Sequence, residues 1–182
     1  MSRMNTFSGK KFAPMDIKAE DICLEDIAHA LSLLCRGGGH LKHFYSVGQH
    51  SINCMKEARE RGWSERVQAA CLLHDASEAY ISDIIRPVKM YLSNYAEIEK
   101  KIMDKIWERF HLNDLSAEEN QKWKLIDDEI LNCELRELMR GAQDTEVKEL
   151  YSRPDTAEKP WKTVEAEFMQ MAASLCCLKS WL

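Results

Sequence analysis

Glycine and proline are scarce in this chain: there are seven and four among 182 residues, and three of the glycines sit together at Gly37–Gly39. Strands and tight turns rely on both residues as punctuation, so the scarcity argues against an all-β fold. No apolar run approaches the roughly 20 residues needed to span a bilayer. The opening MSRMNTFSGKKF has no hydrophobic core, so it does not read as a secretory signal. No two cysteines are spaced as CxxC, and their number, seven, is odd, which removes zinc-ribbon and thioredoxin-like patterns. Free cysteines among apolar residues act as small hydrophobes, and a reducing cytoplasm is the expected compartment. An excess of positive charge is missing too. The formal net charge is −5, which speaks against a polymeric nucleic-acid partner, because phosphate backbones demand a basic face. A small anionic ligand needs only a local basic cluster.

What is present is ordinary globular material, 45% hydrophobic and 30% charged. The length suits one domain, read as residues 1–182. Helical periodicity recurs along the chain. Residues 25–35 carry Ile27, Leu31 and Leu34 on one face and stop at the glycine cluster. Residues 46–61 open with Ser46-x-x-Gln49, a capping-box pattern, and end at Gly62. A third helix starts at Ser64, places Val67, Cys71 and His74 on one face and fades near Tyr80, before a turn-like stretch from Ser82 to Pro87. A fourth spans residues 94–110, with Ile98, Ile102 and Ile106 at four-residue spacing. A fifth begins at the capping box Ser116-x-x-Glu119 and carries Trp123, Ile126, Ile130 and Leu138. Asp144 to Pro160 reads as a connecting loop, and residues 161–178 as a last helix. The expected fold is all-α, a compact bundle of about six main helices.

Polar residues interrupt the apolar faces at three places: His50, the adjacent pair His74-Asp75, and Asp127. A carboxylate on a buried face is costly unless it is paired or bound to a metal. Facing helices of a bundle commonly build metal sites from such residues. Two imidazoles with two carboxylates suit a divalent first-row ion, which would acidify a bound water into a nucleophile. Glu78 follows His74 by four residues, the spacing of one helix face, and Asp83 follows in the turn. Arg86 and Lys89 flank Pro87 and add positive potential near that cleft, although Arg86 reads first as part of a solvated loop.

The order His50, His74-Asp75, Asp127 resembles the HD-domain metal-dependent phosphohydrolases, named for that His-Asp pair. The segments LEDIAHALSLLCR, FYSVGQHS and HDASEAYISDIIRPVK are similar to one branch, the bacterial HD-domain 5′-nucleotidases acting on deoxynucleoside monophosphates, and their prophage-associated relatives. The resemblance covers roughly residues 7–140. It implies an HD-domain fold and hydrolysis of a (deoxy)nucleoside 5′-monophosphate by metal-activated water. It implies that His50, His74, Asp75 and Asp127 bind one divalent ion, with Mn, Co, Mg, Zn, Fe and Ni undistinguished. Leu131, Glu134 and Arg136 follow at four, seven and nine residues, the spacing that selects Asp127 over Asp128. Glu78 is implied as general acid or base, Asp83 as holding water or substrate, and Arg36, at the end of the first helix, as gripping phosphate. His40 matches a family histidine at the site, and Lys89 is a further substrate-binding candidate. The chain departs from the pattern at Gly37, where an aromatic residue is usual, and at Leu41 and His43, both expected near the pocket mouth. Homodimerisation is a family expectation. Two rival readings are an HD hydrolase of a polyphosphorylated nucleotide, such as a dNTP or a guanosine alarmone, and a catalytically silent nucleotide-binding module.

Overall fold

The apolar stripes of these helices meet in one buried cluster that runs from Phe12 to Leu178. The computed structural model describes residues 3–181. Its helices are α1 (Leu24–Leu33), α2 (Val47–Glu60), α3 (Glu65–Leu73), α4 (Glu78–Ile81), α5 (Arg86–Lys89), α6 (Tyr95–Arg109), α7 (Ala117–Leu138) and α8 (Trp161–Ala173). The all-α expectation holds. α2 is the central element and packs against α1, α3, α7 and α8. Its approach to α1 and α8 is close at Gly48, where an added Cβ would stand 3.2 Å from both Ser32 Oγ and Val164 Cγ1. No described helix is long and apolar enough to cross a membrane.

Both capping boxes form. Gln49 N donates to Ser46 Oγ at 3.1 Å and Ser46 N donates to Gln49 Oε1 at 3.4 Å, which fixes the start of α2. Ser116 and Glu119 repeat the exchange at the start of α7, at 3.2 and 2.8 Å. Two strands too short to carry an alternation pattern, β1 (Met4–Asn5) and β2 (Lys11–Phe12), pair antiparallel near the N-terminus.

Four local readings need correction. α1 ends at Leu33; Leu34 is already extended, and Cys35 pairs with Ser46 in an isolated bridge. Arg36 therefore lies beyond α1, in a 3-10 turn spanning Arg36–Gly39, and its amide bonds to the Tyr45 carbonyl. α3 ends at Leu73 rather than near Tyr80. The next turns use tighter bonds, Ala76 N to Leu73 O at 2.9 Å and Glu78 N to Asp75 O at 3.0 Å, so Glu78 belongs to the separate α4. Arg86–Lys89 is helical, with Pro87 at the second position, where a missing N–H is no loss. α8 stops at Ala173, although Leu175 and Leu178 remain buried beyond it.

Candidate metal centre

α2 carries His50 one turn from its start, with the ring fully buried. Its Nδ1 lies 2.8 Å from Glu134 Oε1 on α7. Its Nε2 lies 3.2 Å from His74 Nε2, 3.1 Å from Asp127 Oδ1 and 3.8 Å from Asp75 Oδ2. His74 and Asp75 sit in the turn after α3, and His74 Nε2 lies 3.4 Å from Asp75 Oδ2 and 3.5 Å from Asp127 Oδ1. Adjacent residues point to one place because the chain tightens there.

The tautomers follow from the partners. His74 Nδ1 lies 2.8 Å from the Cys71 carbonyl, which only accepts, so Nδ1 carries the proton and Nε2 of the neutral ring carries a lone pair. Glu134 imposes the same state on His50. Two lone pairs then face one another among carboxylate oxygens, an arrangement that calls for a cation. Without a cation, protons take its place. Burial opposes a charged His74, but Asp75 and Asp127 outweigh it and push the ring up to about 9. Burial and Arg36 oppose a charged His50, yet Glu134 and Asp127 raise it. Burial likewise opposes ionised Asp127, and hydrogen bonds from His50 and His74 nevertheless hold it far below the carboxylate range.

The donor set fits a divalent ion. Bonds of about 2.1 Å set neighbouring ligands about 3.0–3.4 Å apart in octahedral or tetrahedral geometry, and the contacts here run from 3.1 to 3.8 Å. Each imidazole is also anchored through its far nitrogen, to a carboxylate or a carbonyl, as metal-bound histidines are.

Glu134, used in the sequence only to set the register of Asp127, is a hub. It is buried and accepts from Tyr45 Oη at 2.7 Å, and Arg36 Nε lies 3.3 Å from its Oε2. Tyr45 Oη accepts in turn from Asn53 Nδ2 at 2.9 Å. Arg36 Nη1 donates to Asp75 Oδ2 at 3.0 Å, so the guanidinium stands beside the centre and is held by two carboxylates. Arg86 is bound as well as exposed: it bridges Asp127 Oδ2 and Asp128 Oδ1, each at 3.0 Å. Asp128 points outward, and its side chain is 62% exposed.

Glu78 is buried, and its Oε2 has no hydrogen-bond partner among the described residues. Burial, with Asp75 and Asp83 nearby, pushes its carboxyl up to about 9 against the opposing Arg36 and Lys89. Lys89 Nζ stands 3.9 Å from Glu78 Oε1 and 2.8 Å from Glu99 Oε1. Asp83 Oδ2 accepts from Gly37 N at 3.2 Å, which ties α4's exit to the glycine turn. Gly37, Gly38 and Gly39 all have positive φ, near +61°, +62° and +80°. An aromatic side chain at position 37 would be strained there. Ser82, just before Asp83, also has positive φ, a strained state of the kind that clusters at functional sites.

A cavity of about 900 Å³ opens over these groups. Arg36, His40, His74, Asp75, Glu78, Asp83, Lys89 and Asp127 line it, together with Leu41, Trp107 and Trp123. His43 does not line it: its Nε2 pairs with the Thr156 carbonyl at 2.8 Å, which fastens the 144–160 loop. Cys54, read from the sequence as a small hydrophobe, also lies at the centre. Its Sγ lies 3.5 Å from His50 Nε2. Burial, with Asp127 close, pushes its thiol up. The signal was its position, four residues after His50 on one helix.

The HD domain family matches residues 36–152. The uncharacterized protein YfdR of Escherichia coli (strain K12) is 44% identical over 112 residues, 62% of this chain and 60% of that protein. An uncharacterized protein of Rhodobacter capsulatus is 32% identical over 155 residues, 81% of this chain and 78% of that protein. The chain thus spans less than two thirds of the length of the first of these relatives. It belongs to the HD domain family, whose domains are in general metal-dependent phosphohydrolases.

Proposed function

We propose that this member of the HD domain family is a phosphomonoesterase that converts (deoxy)nucleoside 5′-monophosphates to nucleoside and phosphate, folded as one domain. The observation that carries this reading is the convergence of His50, His74, Asp75 and Asp127 beneath a cavity that pairs cationic side chains with aromatic ones. His50, His74, Asp75 and Asp127 would hold a divalent ion, which would supply Lewis acidity to water and phosphate.

The remaining steps belong to the chain's own side chains. Arg36 and Lys89 offer donors to the non-bridging oxygens, where negative charge builds up. Glu78, neutral near pH 7, gives its proton to the 5′ oxygen as the bond from phosphorus to that oxygen breaks. The oxygen of the attacking water ends on phosphate with one of its protons, and the other proton returns to Glu78 and restores the acid. Asp83 holds the glycine turn that carries Arg36, through the Gly37 amide, and helps to hold the water or substrate. Trp107 and Trp123 present flat apolar surface for a nucleobase, and His40 stands at the rim.

A second reading has its own observation. Lys100 and Lys124 also line the cavity, and added cations suit a polyphosphorylated nucleotide. A screen of nucleoside mono- and triphosphates against Mn²⁺, Co²⁺, Mg²⁺, Zn²⁺, Fe²⁺ and Ni²⁺ separates the two. Nucleoside plus inorganic phosphate from monophosphates supports the first reading. Release of pyrophosphate or triphosphate supports the second. Saturable binding without turnover across all metals contradicts both and leaves a silent nucleotide-binding module.

A further inference from the structure

We propose that Cys54 is an additional, soft ligand of the metal centre and biases it toward thiophilic ions such as Zn²⁺ and Co²⁺ over Mg²⁺ and Mn²⁺. The proposal rests on the reading of His50, His74, Asp75 and Asp127 as that centre. Cys54 lies one helical turn beyond His50 on α2, so both side chains leave the same face. It is buried, and although it belongs to the apolar core its Sγ lies 3.5 Å from a ring nitrogen, His50 Nε2. That is the nitrogen that faces His74 and Asp127. Donor atoms of His50, Cys54 and His74 all lie within 4.8 Å of one another.

The distances suit shared coordination. A metal–sulfur bond of about 2.3 Å and a metal–nitrogen bond of about 2.1 Å put sulfur and nitrogen about 3.1–3.8 Å apart at the roughly 90–120° angles of a five-coordinate ion. Cys54 Sγ is nearer to His50 Nε2 than Asp75 Oδ2, which stands 3.8 Å away and accepts from Arg36 at 3.0 Å. Cys71, also buried, serves differently: its carbonyl anchors His74. A thiolate added to imidazole and carboxylate donors softens the site, and ligand softness rather than raw affinity separates Zn²⁺ and Co²⁺ from the harder Mg²⁺ and Mn²⁺.

The test is cobalt absorption on the full chain, stripped of metal and titrated with Co²⁺. The exposed Cys176 and its neighbour Cys177 are replaced by serine to remove surface thiols. Visible ligand-field bands report cobalt in the nitrogen–oxygen centre. A near-ultraviolet thiolate-to-cobalt band reports sulfur. We expect both bands, with Cys54→Ser losing only the second and shifting the Zn²⁺/Mn²⁺ preference by about tenfold, the scale on which ligand-shell changes act. Visible bands without the near-ultraviolet band, or the latter persisting in Cys54→Ser, overturn the role of Cys54 and leave the centre intact. Absence of both bands overturns the centre itself. X-ray absorption of the zinc-loaded chain needs no substitution at position 54: one sulfur at about 2.3 Å is expected, and a shell of nitrogen and oxygen alone refutes the proposal.

Discussion

His50 Nε2 and His74 Nε2 face one another at 3.2 Å, and each ring is held through its other nitrogen. Neither nitrogen can turn away, so a cation between them relieves the repulsion of two lone pairs. A divalent ion should therefore stabilise the folded chain. At 100 times its dissociation constant the gain is about 2.7 kcal/mol. Thermal unfolding with and without Mn²⁺ or Co²⁺ reads this directly. His74→Ala should abolish the rise, and an equal rise in that variant speaks against the centre.

Glu134 acts through His50 rather than on substrate. Removing its charge with Glu134→Gln should weaken metal binding by about 10–100-fold, the usual effect of losing a partner behind a metal-bound histidine. Phosphate release should recover at saturating metal. A loss of turnover that added metal does not restore would indicate a different role for Glu134.

The sequence exposed the helices well because their signals are local. Ser46-x-x-Gln49 and Ser116-x-x-Glu119 mark helix starts through bonds within one turn, and four-residue spacings mark buried faces. What stayed hidden depends on distant chain. The break after Leu73 goes with bringing His74 and Asp75 to one centre, and it invalidates the one-face argument for Glu78. The β1–β2 hairpin has strands of two residues, too short for any alternation to register. The ligand candidates were visible as polar breaks in apolar faces. Their partners were not, because Arg86 with Asp127 and Arg36 with Asp75 are pairs 41 and 39 residues apart. Cys54 was legible in spacing, but an apolar reading of cysteine concealed it.

Glu78 should cost stability where it serves chemistry. Its carboxyl is pushed from the ordinary 4.5 up to about 9 in the folded chain. Between those values the folded state binds more protons than the unfolded state, so stability falls as pH rises. Glu78→Gln removes that dependence. In chelator, its advantage over the parent chain should grow from pH 5 to pH 8 to roughly 1–3 kcal/mol in urea unfolding, while phosphate release with metal added collapses. A pH-independent difference would refute the buried-acid assignment.

Glu57 has the opposite sign. Burial opposes its charge, but the Ser152 hydroxyl, the Tyr151 and Ser152 amides and Arg61 hold its carboxyl below the usual range. Its contribution is present above the unfolded value of 4.5 and is lost as pH falls through the lower folded value. Glu57→Ala should destabilise the chain by about 3 kcal/mol at pH 7, less at pH 3, and loosen the loop at Tyr151 and Ser152. A cost under about 0.5 kcal/mol, typical of a surface change, would contradict this.

The most direct measurement of the central assignment is phosphate release from nucleoside 5′-monophosphates by the parent chain, His74→Ala and Asp75→Ala, each with added Mn²⁺ or Co²⁺. A metal-dependent hydrolase centred on His50, His74, Asp75 and Asp127 predicts release by the parent alone, with both variants folded and inactive. Full activity in either variant would contradict it.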